Sequence, residues 1–355
     1  MRSHVSFVAV FLMILWAVAS QAAADESAQA AVAQAAADES PGTEAEPDTS
    51  WIVGLSPEEL FLRASSSALQ FQSMIEPSRR RLIADHGTSL PYLATRLDTD
   101  DARERNALED ILVRIGEPAV WPIIDAFQSE ITRTDTTRGA RLAASVLGRL
   151  EDPAAVPALA GASDHADWKV RGAVAGALGR MGVEEAVPAL IDLLGDGNEI
   201  VRKSAAFGLG RTASKVHEAC GCEDGLSSHD WEPAVNALVG ALDDQYYAVR
   251  YDASDALSKV GSPALTALRA ALKNGSETAR LMALRALGGA DLGDDAGAAI
   301  SGLLDSDDWV TRAFAVEAAG RLGPSGTLRR DLERRLEREE HPLVLFRLRE
   351  ALSTG

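Results

Sequence analysis

Apolar residues along this chain recur three and four apart rather than two apart, in short bursts broken by Gly, Pro and Asp. That spacing is the mark of helices with one buried face. Leu60, Phe61, Ala64, Ala68, Phe71 and Ile75 open the pattern. Ahead of them, Ser56-Pro57-Glu58-Glu59 supplies a helix start, with Ser56 as N-cap, Pro57 at the first helical position and Glu59 closing a capping box. Pro77 interrupts, and a short basic helix runs to His86-Gly87, where glycine is a natural stop. Val and Ile are too sparse, and alternating runs too rare, for a large sheet.

Beyond residue 87 the chain repeats itself. Val170-Arg171…Ala177-Leu178-Gly179-Arg180, Val201-Arg202…Gly208-Leu209-Gly210-Arg211 and Thr311-Arg312…Ala319-Gly320-Arg321 show the motif. Aligned on its first arginine, the anchor, the repeats fall at Arg105, Ala140, Arg171, Arg202, Arg250, Arg280, Arg312 and Arg347, with steps of 35, 31, 31, 48, 30, 32 and 35 residues. Between anchors stand second apolar segments such as Ala155-Val156-Pro157-Ala158-Leu159 and Ala186-Val187-Pro188-Ala189-Leu190. Each period is therefore two short helices, too small to bury its own apolar face. Stacked on its neighbours, it closes into one continuous core.

This cadence resembles the HEAT family, in particular the short HEAT-like repeats first described in phycobilisome lyases, over roughly residues 88–355. The resemblance implies an all-α, right-handed α-solenoid of about seven or eight helix pairs, with the second helix of each pair lining the concave side. It implies a protein-binding scaffold and leaves the partner unnamed, because one architecture serves many. The expected organisation is a signal peptide at 1–24, a disordered acidic Ala-rich linker at 25–50, an N-terminal helical cap at 51–87 and the solenoid at 88–355. The 48-residue step holds a loop insertion at 212–232.

The first residues shape the expected location. Arg2 precedes an almost unbroken apolar run, Val5 to Ala19, and both Ala17-Val18-Ala19 and Ala22-Ala23-Ala24 offer small-x-small cleavage sites. Export to a periplasm or to the outside follows, with an uncleaved tether as the alternative, and no later segment is long and apolar enough to span a membrane. The net charge of −18 disfavours nucleic-acid binding. Seven of those charges lie in Asp25–Asp48, which leaves −11 for the rest.

Against that acidity, position +9 from the anchor is basic in six of seven repeats: Arg114, Arg149, Arg180, Arg211, Lys259 and Arg321, with Gly289 the exception. Positions +1, +5 and +9 share one helix face. Two readings fit the basic column, a stripe that receives an acidic segment of a protein partner and a set of cations that offset helix dipoles. Trp168, Tyr247 and Trp309, three residues before their anchors, fit either a hydrophobic staple or partner hot spots. The anchors themselves are expected to pair with an Asp near the preceding helix end, with Asp164, Asp196, Asp244 and Asp307 as candidates.

The insertion carries the only two cysteines, Cys220 and Cys222, with His217 and His229 beside them. These donors could ligate zinc or copper, although the spacing matches no established motif. A local Cys220–Cys222 disulfide or a bridge to another chain fits as well. Deoxyhypusine hydroxylase, an enzyme of this architecture, uses repeated His-Glu pairs to hold iron; here only His217-Glu218 has that order, out of register with the repeats. Without a Gly-rich phosphate loop, nucleophile elbow or zinc-hydrolase motif, the reading is a non-catalytic adaptor without a cofactor. A metal or redox protein using the insertion, and a lyase-like subunit presenting a substrate, are the alternatives.

Overall fold

A computed structural model describes residues 50–220, 231–289 and 293–353. The chain divides after Val53. Among the described residues the first unit contributes one 3-10 turn, Ser50–Ile52, and the second, Gly54–Gly355, holds the α-helices. It starts with α1 (Pro57–Ser65) and α2 (Ile75–Ala84). The expected capping box forms at α1, with Ser56 and Glu59 bonded reciprocally. Eight helix pairs follow among the described residues: α3 (His86–Thr95) with α4 (Ala102–Ile115), α5 (Val120–Glu130) with α6 (Arg138–Leu150), α7 (Val156–Ala160) with α8 (Trp168–Met181), α9 (Val187–Leu194) with α10 (Glu199–Cys220), α11 (Glu232–Ala241) with α12 (Tyr247–Val260), α13 (Leu265–Asn274) with α14 (Glu277–Gly289), α15 (Gly293–Ser301) with α16 (Trp309–Leu322), and α17 (Gly326–Leu336) with α18 (Pro342–Ser353). The fold is an all-α solenoid.

Even-numbered helices from α4 onward stack on one another in sequence to form one row, the odd-numbered helices form a second, and the even row is the more closely spaced. The repeat motif explains that spacing. Position +8 of one even helix meets position +6 of the next, backbone against backbone: Gly148 on Ala177, Gly179 on Gly208, Gly210 on Ala256, Gly288 on Ala318, and Gly320 on Ala351. A Cβ on Gly179 would stand 2.5 Å from the Gly208 Cα. The leucine between, at +7, is fully buried at Leu147, Leu178, Leu209, Leu257 and Leu287. The contact of Gly320 with Ala351 also sets the register of the last repeat. It places Leu345, rather than Arg347, at the anchor position.

The anchor arginines form a ladder that runs forward. Arg171 grips Asp196 through Nε and Nη2 at 2.5 and 2.8 Å, Arg202 grips Asp244 at 2.6 and 3.0 Å, and Arg312 grips Glu339 at 2.8 and 3.0 Å. Each carboxylate lies three residues before the next even helix and also accepts a backbone N–H two residues on, from Asn198, Tyr246 and His341. The remaining guanidinium nitrogen donates to a carbonyl of the arginine's own preceding turn, His165, Asp196, Asp244 or Ser306. The expected pairing with the preceding Asp is thus corrected: Asp196 and Asp244 pair with the arginine of the repeat before them, and their carbonyls cap the one after. Where Ala140 replaces the anchor, the Thr137 hydroxyl donates to Asp167 instead.

Position +11 ends α4, α8, α12 and α16 at positive φ, with glycine at Gly116, Gly182, Gly261 and Gly323. At α6 the residue is Glu151, at φ 56°, the one non-glycine among the described residues in that region. A side chain there costs about 1–2 kcal/mol. Glu151→Gly should therefore stabilise the chain by about 1 kcal/mol, after loss of the surface ion pair with Lys215, as a raised midpoint in urea unfolding.

The expected loop at 212–232 is corrected in its first half. α10 continues helical to Cys220, giving it 22 residues, because Thr212 and Ala213 stay buried and Lys215 reaches back to the carbonyls of Arg180 and Met181 at the end of α8. Residues 221–230 lie outside the described residues.

Candidate functional site

The face of the even row that carries positions −3, +1, +5 and +9 is the best-furnished surface of the stack. Among the described residues it holds much of the exposed aromatic area: Phe207, Tyr247, Tyr251, Trp309 and Phe346 are 40–64% exposed. Cations lie against these rings. The Arg285 guanidinium is 3.8 Å from the centre of the Tyr251 ring, Arg250 is 5.6 Å from that of Tyr247, and the Lys259 ammonium is 5.9 Å from that of Phe207. Tyr247 and Tyr251 sit one helical turn apart with centroids 6.0 Å apart. Together with Met282, Arg285, Phe314, Glu317, Ala318 and Arg321 they line a depression of about 320 Å³ spanning α12, α14 and α16. A second depression of about 440 Å³ follows between α16 and α18, under Leu343 and Phe346.

Sequence reasoning placed Phe207, Tyr251 and Arg285 on this face but missed Phe314 and Phe346. Phe346 falls at +1 only when Leu345 is the anchor, so the arginine at 347 hid it. Phe314 sits at +2, beside the stripe rather than in it, and periodicity alone gave no signal for it.

The basic column is mixed in character. Arg114 pairs with Glu76 at 2.9 Å and with Asp110, Arg149 with Glu109 at 3.3 Å, Lys259 with Asp255 at 2.8 Å and Arg321 with Glu317 at 2.5 Å. Glu317 also pairs with Arg347. Arg211 donates to the Arg180 carbonyl at the end of α8, the cap expected from dipole compensation. Arg180 is different: among the described residues no carboxylate lies within ion-pair distance, its Nε has no partner, and its contact is with the Ser145 hydroxyl at 3.5 Å. Burial, despite the help of Glu109, pushes its guanidinium below the usual arginine range, and Arg211 and Arg149 push it the same way.

Trp168, Tyr247 and Trp309 each begin their helix, one residue after N-caps Asp167, Tyr246 and Asp308. A staple needs the residue before the cap, so this geometry corrects the staple reading. Trp309 stacks on His341 with centroids 4.1 Å apart, joining the starts of α16 and α18. Of the insertion's proposed metal and disulfide groups, His217 lies on α10, whereas Cys222 and His229, and the Cys220 side chain, fall outside the described residues.

A family model described as HEAT repeats matches residues 124–210, which run from α5 into α10. Over that stretch the chain matches HEAT repeats. The helical stack as a whole is similar in fold to importin beta, at 14% identity over 84% of this chain and 44% of that one, with a TM-score of 0.52. This chain thus spans less than half of importin beta. An archaeal HEAT-like repeats protein from Thermococcus onnurineus NA1 aligns at 17% identity over 65% of this chain and 96% of its own, with a TM-score of 0.44. Human deoxyhypusine hydroxylase aligns at 21% identity over 78% and 98%, with a TM-score of 0.33. No curated protein matches the sequence.

Proposed function

We propose that this HEAT stack is an exported, non-catalytic scaffold that holds a protein partner along the exposed face of its even helices. The observation that carries the reading is the Tyr247–Tyr251–Arg285–Phe314 depression. Aromatic rings and a stacked guanidinium, side by side on a solvent-facing surface, are the groups that dominate protein–protein contacts. Export is supported by the Arg2 and Val5–Ala19 pattern. The importin beta likeness supports the solenoid alone.

The test is capture of a partner from native envelope extract by the purified chain, beside a Tyr251→Ala, Arg285→Ala variant. Tyr251 is exposed and Arg285 is half-buried against its ring, and circular dichroism checks that the variant keeps its fold. A defined partner should be retained by the wild type and weakened at least 30-fold in the variant, which corresponds to a hot-spot loss of about 2 kcal/mol. A partner held equally by both would move the binding surface elsewhere, and no partner at all would overturn the scaffold reading.

A further inference from the structure

The even-row face has one gap. At α8, positions +1 and +5 are Gly172 and Gly176, where every other even helix from α4 to α16 carries a side chain at both. A Cβ on Gly172 would meet only the Val201 side chain at 3.8 Å, and one on Gly176 only Arg180 Nη1 at 3.9 Å. The result is a notch on α8, floored by helix backbone and walled by α6 and α10.

Its walls are cationic. Arg141 and Ser145 hold positions +1 and +5 on α6, and Lys203 and Phe207 hold them on α10. Arg149, Arg180 and Arg211 run along one end at +9. Arg141, Arg180 and Arg211 are all half-buried, and none has a carboxylate within ion-pair distance among the described residues. The Nε atoms of Arg141 and Arg180 are buried and unbonded. Elsewhere on the same face Arg114, Lys259 and Arg321 are each neutralised by a carboxylate, and Arg285, whose Nε is likewise buried and unbonded, is covered by the Tyr251 ring. Glu109, which also attracts Arg180, is held by Arg149 and by the Ser145 hydroxyl, and Asp252 of α12 stands near Lys203. Desolvated guanidinium groups left without a counter-charge are costly unless a ligand supplies one. Arginine's planar fork suits a carboxylate, which it binds through two parallel hydrogen bonds.

We infer that the α8 notch is a carboxylate-binding subsite, in which an extended acidic segment of the partner lays its main chain over Gly172 and Gly176 and presents Asp or Glu side chains to Arg141, Arg180 and Arg211. The inference rests on the scaffold reading and deepens it. The glycines let a peptide backbone approach the helix closely, and the three arginines on successive helices read side chains along the segment. Lys203 adds attraction at the rim, and Phe207 closes the far side with an apolar wall. Asp110 and Asp255, the acids of the same face on α4 and α12, stand on more distant helices.

Fluorescence anisotropy with the full chain tests this, using a labelled twelve-residue probe of alternating Glu and Gly and its Gln–Gly counterpart. The Glu probe should bind at least tenfold more tightly. Arg180→Gln with Arg211→Gln should abolish that preference. Gly176→Leu fills the notch without removing a charge, since a Cβ there meets only Arg180 Nη1, at 3.9 Å, and it should also weaken the Glu probe at least tenfold while the melting temperature holds. Equal binding of the two probes, or a Gly176→Leu variant that binds as wild type, would overturn the subsite. So would inorganic polyphosphate or a single-stranded oligonucleotide displacing the Glu probe at lower charge concentration than a Glu-rich peptide does, since the site would then read charge density and not carboxylates. A partner from envelope extract captured equally by wild type and by Gly176→Leu would leave the scaffold standing and remove the notch from it.

Discussion

Gly179→Val should destabilise the middle of the stack by about 3 kcal/mol, whereas Gly176→Ala, one turn earlier on the same helix, should stabilise it by up to about 1 kcal/mol. The two glycines differ only in what faces them. At Gly179 an added Cβ lands 2.5 Å from the Gly208 Cα, so α8 and α10 must separate, and the fully buried Leu178 and Leu209 lose contact with them. At Gly176 the same atom meets only the Arg180 guanidinium, at 3.9 Å. There, removing glycine from a helix interior lowers the entropy lost on folding. Because each repeat touches only its neighbours, the damage should be local. Hydrogen exchange read separately over α8–α10 and α16–α18 measures it, with protection expected to fall in the first pair of helices and hold in the second. Equal effects of the two substitutions would mean that the +8 glycines do not set the spacing of the row.

Acid should release the last helix pair before the rest. Burial alone would raise the Glu339 pKa, but hydrogen bonds from Arg312, the His341 N–H and Arg335 outweigh it and hold the carboxyl at about 2, against an ordinary value of 4.5. A carboxylate depressed on folding contributes stability that is complete above its unfolded pKa and lost as the pH falls toward the folded one. The window here is from pH 4.5 down to about 2, and the amount is about 3 kcal/mol. Glu339→Gln should remove much of that at neutral pH, since it leaves Arg312 buried and uncompensated, and should flatten the acid dependence of α17–α18. Hydrogen exchange of α18 amides between pH 5 and 3 is the measurement. An unchanged pH profile in the variant would place the acid sensitivity in other carboxylates.

Much of this fold is written in the chain because each repeated residue has one job. Leu at +7 fills the core, Gly at +8 admits the neighbouring helix, and Gly at +11 ends the helix in the left-handed region. That is why the Ala-Leu-Gly-Arg cadence is legible in the sequence alone. What was not legible depended on distance in space. The direction of the arginine ladder could not be read, because Asp196 is near in sequence to Arg202 and near in space to Arg171. The extension of α10 to Cys220 was hidden because a 48-residue step looks the same whether the extra residues coil or continue a helix. Of the candidate site, the stripe at +1, +5 and +9 was visible as a period. Its division into neutralised and bare cations was not, since the acids that neutralise Arg114 and Arg149, Glu76 and Glu109, lie on other helices.

Past α12 the forward ladder skips two rungs. Three residues before α14 and α16, where Asp196, Asp244 and Glu339 stand in other repeats, the residues are Asn274 and Ser306, and Arg250 and Arg280 donate to carbonyls of their own repeats in place of a carboxylate. Pulled from its ends, such a stack is stiffer where the rungs are present than where they are missing. The tied lengths, α8 to α12 and α16 to α18, resist extension, and between them strain collects at α12–α14–α16. That compliant stretch is the one that forms the floor of the aromatic depression, so a partner seated there would set the tension of the whole coil.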